Sequence, residues 1–186
     1  MQTLLLRVFQ RQVHFQCQAL LVAAHELDAS LLTADPVASW IALQALLDAG
    51  SYIARALWGE QGVPAESRAE LRESLEVEDS SPLRELASTS AFERFGVRLE
   101  EWWGRSRDHD YVDLAIAEQE PPSELDGLDL FRVLNPASGE LVLFGERFQI
   151  EPLVQEASRL LPLARVESEK PHWESPTPEL GEADGG

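Results

Sequence analysis

Apolar residues at Leu6, Phe9, Val13, Cys17, Leu20, Ala24, Leu27 and Leu31 recur every three or four positions, the repeat that lines one side of an α-helix. The spacing predicts a long first helix with one buried stripe. Fully burying a large member of such a stripe is worth about 1.5–3 kcal/mol before entropy is counted, so the stripe needs a partner surface. A second helix supplies it: Asp35 stands at the N-cap, Pro36 at the first helical position, and Trp40, Leu43, Leu47, Gly50, Ala54 and Leu57 repeat as far as Gly59. The pair predicts an antiparallel hairpin with Leu20 and Trp40 in its seam. Ala42, Ala45, Ala49 and Gly50 are expected to face the first helix, small enough to let the backbones approach.

Pro64 ends a loop, and Ala65 to Leu75 reads as a short, highly charged helix. Ser81 and Pro82 then signal an N-cap and N1 pair opening a fourth helix, in which Phe92, Phe95, Leu99 and Trp102 repeat before a stop at Gly104. The stretch from Asp108 to Pro122 resists regular helix and reads as an extended wrap. Leu128 to Leu134 and Glu140 to Phe144, separated by Asn135-Pro136-Ala137-Ser138-Gly139, predict a β-hairpin. Pro152 opens a last helix that is expected to end at Leu161, because Pro162 cannot donate the next backbone bond. The expected fold is therefore mainly α, a four- or five-helix bundle with a small C-terminal β-hairpin over residues 1–165. Residues 166–186, rich in Pro, Gly and acids, are expected to form a disordered acidic tail.

Charge narrows the function. Fifteen basic against thirty-three acidic side chains give a formal net charge of −18, which repels phosphate backbones, so nucleic acid is not an expected partner. The single cysteine excludes an intramolecular disulfide and a cysteine-rich zinc site. The longest apolar runs are too short for a membrane span and the first ten residues lack a signal-peptide pattern, which makes the cytoplasm the expected location.

Candidate chemistry is sparse. Arg7 and His14 share nearly one face of the first helix, and Arg with His can support phosphate chemistry. His14 and His25 share a face too, but eleven residues separate them by about 16 Å, too far for one metal. Asp108, His109, Asp110 and Asp113 form a compact cluster of metal-ligand types. It reads as loop chemistry, with Tyr111 and Val112 docking the chain while the acids cap and solvate it. No metal and no cofactor are expected. Trp102 and Trp103 point about 100° apart, so one belongs in the core while the other covers the hairpin or meets a partner. Cys17, within the buried stripe, reads as an inert core thiol. The far face of the first helix still carries Val8, Phe15, Val22 and Leu32, which need cover from the last helix or from a second copy of the chain.

The run Phe92-Glu93-Arg94-Phe95, with Arg98-Leu99, Trp102-Trp103 and then His109-Asp110-Tyr111-Val112-Asp113, resembles a subset of bacterial HEPN-like helical proteins. The likeness spans most of residues 1–165. The turn at 135–139 followed by Leu143-Phe144-Gly145-Glu146-Arg147-Phe148 is similar to the strand appendage of that subset. Catalytic members place an Arg ahead of a His, with four to six residues between them, near the start of the last core helix, and a dimer brings two copies together to cleave RNA without metal. The resemblance puts Thr89 in the place of that Arg and Arg94 in the place of that His. Arg94 cannot serve as a base and Thr89 brings no positive charge. What the resemblance implies is a homodimeric or partner-binding HEPN-like module that is non-catalytic and interacts or regulates. The alternative is a metal-independent RNA-cleaving ribonuclease of toxin or defence type, with Arg7, His14 and Arg94 as its candidates.

Overall fold

The structure, a computed structural model, describes residues 1–60, 62–88, 95–117 and 129–173. It is mostly helical with one small sheet. Helix α1 (Thr3–Leu32) and helix α2 (Pro36–Trp58) form the predicted hairpin. Their corner is built by short polar side chains. Thr33 Oγ1 donates to the carbonyls of Ala29 and Ser30, Ala34 takes a left-handed φ of +53°, and Asp35 accepts from the Ala38 N–H at 3.0 Å. The Ser30 and Ser39 hydroxyls meet at 2.9 Å across the two helices. Asp35 thus caps α2 and Pro36 starts it, as the sequence predicts.

Leu20 and Trp40 are both buried, as are Ala42, Ala49 and Gly50. Ala45 is exposed and turns away from the seam, a correction to the expected small-residue stripe. At Gly50 a Cβ would stand 2.6 Å from Leu86 Cδ1 and 3.6 Å from Leu20 Cδ1, so the missing side chain admits a third element as well as the first. That element is α4 (Arg84–Ser88), packed across α2. A 3-10 turn (Ala65–Arg68) leads into α3 (Ala69–Ser74), so the predicted charged helix begins as a tighter turn. Arg72 Nη1 donates to the carbonyls of Leu57 and Ala65 at 2.8 and 2.9 Å. It thereby satisfies an end carbonyl of α2 that no helical N–H can reach.

Ser81 does not cap a fourth helix. Its hydroxyl donates to Glu156 Oε1 at 2.9 Å, and α4 begins three residues later, at Arg84. Phe92, Thr89 and Arg94 lie outside the described residues. Helix α5 (Phe95–Arg105) runs one residue past Gly104, and its Phe95, Leu99 and Trp102 cover Phe131 and Phe144 rather than the helical core. Its stripe belongs to the sheet and not to the bundle.

The sheet is four-stranded, in the order β1 (Ala115–Ile116), β2 (Arg132–Asn135), β3 (Glu140–Leu143) and β4 (Glu146–Gln149). The predicted hairpin is β2 with β3, paired from Arg132↔Leu143 to Asn135↔Glu140. Asn135 Oδ1 closes its turn by accepting from the N–H groups of Ala137 and Ser138. Strand β4 returns through Phe144 and Gly145, at φ +48° and +83°. Positive φ at both central residues is the geometry that a two-residue hairpin needs. Leu134, Leu141, Leu143 and Phe148 join the main core, while Leu130, Val133 and Val142 form a small cluster on the other side with Val112 and Ala115.

Helix α6 (Ile150–Glu169) does not stop at Leu161. It continues through Pro162, because Ile150, Leu153, Ala157, Leu160, Ala164 and Ser168 make one buried stripe against α1 that spans the proline. Pro162 and Ser158, whose carbonyl loses its helical donor, both face solvent, where water can satisfy that oxygen. Residues 166–169 therefore belong to the last helix rather than to a tail, and residues 174–186 lie outside the described part. By length and composition α2 is apolar enough to cross a membrane, yet 56% of its most apolar window is buried inside the molecule. Its apolarity is that of a core helix.

One carboxylate in this packing is charge-held. Arg159 donates to Glu156 at 2.8 and 2.9 Å, which with the Ser81 hydroxyl lowers the Glu156 carboxyl from its ordinary value of 4.5. A depressed folded-state value stabilises the fold above the unfolded value and loses that contribution as pH falls through the folded one. Melting temperature should therefore decline below about pH 4.5, and less steeply in Glu156→Gln. Parallel pH profiles for the two proteins would show that this carboxylate does not contribute.

Candidate functional site

Arg7, which a ribonuclease would need on a phosphate, is 1% exposed. Its Nη1 donates to Gln10 Oε1 at 2.9 Å, to the Glu167 carbonyl at 3.0 Å and to Glu167 Oε2 at 3.3 Å. Gln10 passes the network to Ser74 on α3, and Lys170 adds a second cation to Glu167. The guanidinium clamps α1, α3 and α6 together. His14 is only half-buried, two turns further along α1, so the structure separates the two environments that the spacing places on one face. Cys17, three residues beyond His14, is fully buried in the main core, and burial with the Glu156 charge pushes its thiol up to about 12.

The acids of the 108–113 segment do not converge. Asp113 takes the forked guanidinium of Arg132 at 2.6 and 2.5 Å, while Asp108 and Asp110 face solvent. His109, at a left-handed φ of +57°, packs its ring 4.0 Å from that of Trp103 and 5.6 Å from that of Trp102. Among the described residues no group of three or more His, Cys, Asp or Glu is placed to hold a metal ion. Trp102 is the buried member of the tryptophan pair, donating Nε1–H to Asp129 at 2.8 Å, and Trp103 is 63% exposed. Tyr111 stacks on Phe131 at 4.9 Å and Phe131 on Phe144 at 4.9 Å. Periodicity gives no sign of this ladder, because its three rings come from a loop, a strand edge and a turn.

A cavity of about 760 Å³ opens beside the α1–α2 corner, lined by Leu31, Leu32, Pro36, Ile116 and Pro136 with Asp28 and Asp35 at its edge. The Asp35 carboxylate is engaged as the helix cap, so this wall is largely apolar.

Among the described residues a row of exposed apolar side chains runs along α1. Leu4, Val8, Phe15 and Val22 are each more than half exposed. At 100° per residue they fall within about 40° of arc, on the side opposite Leu6, Val13, Cys17 and Leu20. The last helix packs on α1 without covering them. Of the residues that the sequence marks on this far face, Val8, Phe15 and Val22 are in line, while Leu32 turns off towards the corner cavity. Leu4 joins the row instead. The flanks hold Arg11, Gln12 and Gln18, all exposed, and no acidic residue precedes Glu26 in the chain. No family model, curated protein or solved structure matches this chain.

Proposed function

We propose that the protein is a non-catalytic, HEPN-like helical interaction module of the cytoplasm, and that the outer face of α1 is its docking surface. The observation that carries this reading is the row of Leu4, Val8, Phe15 and Val22, open to solvent on a helix of 30 residues whose opposite side is fully buried. A row of exposed apolar side chains, interrupted by Arg11 and Gln18 on an otherwise strongly charged chain, supports its use as a binding surface. The employment of Arg7 supports the same reading from the other side: a cation buried among Gln10 and Glu167 is a strut and has no surface to offer a phosphate. A docking helix must present its row rigidly, and that strut fixes α1 at its first two turns.

Photo-crosslinking in cells tests it. A benzophenone amino acid placed at Phe15 should capture a polypeptide, while the same group at Glu151, exposed on α6, should not. Absence of any adduct at position 15 would overturn the interaction reading, and RNA in the adduct would favour the ribonuclease alternative.

A further inference from the structure

We propose that the cavity at the α1–α2 corner binds a small organic cation, a protonated amine carried on an apolar body. The inference goes beyond the docking reading of α1 and does not rest on it.

The walls define the body. At about 760 Å³ the cavity has the size of a small-molecule site. Leu31, Leu32, Pro36, Ile116 and Pro136 line it, and they come from a helix end, a helix start, a strand and a hairpin turn that the fold brings to one place. Leu32 is 88% exposed, so a ligand seated here takes an apolar wall out of water without disturbing the core.

The charges define the head. Asp28 and Asp35 are the ionisable residues of the lining, both of them exposed carboxylates. Asp28 stands one turn before Leu31 and Leu32 on the same face of α1, and among the described residues it makes no hydrogen bond or ion pair. Asp35 accepts the Ala38 N–H on Oδ1, which leaves its second oxygen. The last turn of α1 holds no basic residue, so nothing in that turn offsets the negative end of the helix dipole. The opposite pole at this corner, the start of α2, is already met by the Asp35 cap.

An anion finds few donors here. Pro36 and Pro136 carry no N–H, the Ala34 and Asp35 N–H groups donate to the Leu31 and Ser30 carbonyls at 3.1 and 3.0 Å, and the Ser39 hydroxyl donates to the Asp35 carbonyl at 2.8 Å. A bare metal ion is served no better, since among the described residues no group of three ligating side chains converges. A ligand that uses both halves of the site sets an apolar frame on the Leu, Ile and Pro walls and an ammonium group between the two carboxylates. An alkylamine carries that charge at neutral pH, as a lysine side chain does.

Three probes that share a naphthyl ring and differ in the head test the site: naphthylethylamine, naphthylethanol and naphthylacetate. Titrated into the isotopically labelled full chain and followed by heteronuclear NMR, the amine should bind with a dissociation constant of about 0.1–1 mM, the range that ligand efficiency allows for a frame of this size. It should shift the amides of Leu31, Leu32, Ala34 and Ile116. The alcohol should bind about five-fold more weakly, the effect of losing two exposed ion pairs, and the acetate more weakly still. Asp28→Lys should reverse that order: the amine loses about ten-fold or more, the acetate gains, and the alcohol stays within about two-fold. Leu32→Ser should weaken the amine and the alcohol alike, by about three-fold. Asp28 and Leu32 are exposed, so circular dichroism and melting of both variants should match the unmodified chain. Added salt should weaken the amine and leave the alcohol unchanged.

An alcohol or acetate that binds as tightly as the amine, or an amine affinity unmoved by Asp28→Lys, would overturn the cation assignment. An absence of shifts at the corner up to about 10 mM amine, or shifts centred on Val8 and Phe15 instead, would overturn the site itself.

Discussion

Arg7→Ala should cost about 3–5 kcal/mol of folding stability, measured by urea denaturation. The size follows from what stays behind. Glu167 keeps Lys170 but loses the guanidinium, its backbone carbonyl near the end of α6 loses a donor, and Gln10 loses the acceptor role it plays on Nη1. Arg7→Met, which refills the volume without the charge, should recover part of that loss only when Glu167 is replaced by Gln as well, because the carboxylate is the group left uncompensated. A loss below about 0.5 kcal/mol in Arg7→Ala would mean that the clamp contributes nothing to stability.

Leu20→Ala should destabilise by about 3–5 kcal/mol, towards the upper end of the range for a buried leucine. Leu20 has no exposed surface, and its Cδ1 lies at the junction where Gly50 lets α2 approach both α1 and Leu86 of α4. Three elements fixed by other contacts cannot close in on the space, so most of the cavity persists and its cost is added to the lost transfer energy. Thermal and urea unfolding should agree on the loss. A cost under about 1 kcal/mol would show that α4 collapses onto the gap, and so that the junction is soft.

The α1–α2 hairpin was legible because both of its signals are local: a 3.6-residue apolar period and an Asp-Pro start act within a few residues of themselves. The last helix was misread for the opposite reason. Pro162 is a strong local breaker, and what overrides it is a stripe buried against α1, which is far away in sequence. Strand β4 was missed because Glu146, Arg147 and Gln149 give no apolar alternation and its turn is Phe144-Gly145 rather than a typical Asn-Gly. The helical stripe of Phe95, Leu99 and Trp102 was legible as a stripe, but not its destination, since any apolar surface would satisfy the period. Of the candidate site, Val8, Phe15 and Val22 could be read as a surplus face after the stripe was assigned. The fate of Arg7 could not, because its main acceptor stands 160 residues downstream.

That separation also governs when the molecule can become whole. Helix α1 is synthesised before α6, and the surface that α6 covers stays open until α6 emerges, Glu167 following Arg7 by 160 residues. At about 5–20 residues per second the interval is roughly 10–30 s, during which the nascent chain holds an apolar helix with one flank unsealed. Joining the two ends closes a very long loop, a slow entropic step that the hairpin must outlast. Nascent chains arrested before residue 150 should therefore bind chaperones through α1, and chains that include all of α6 should let them go.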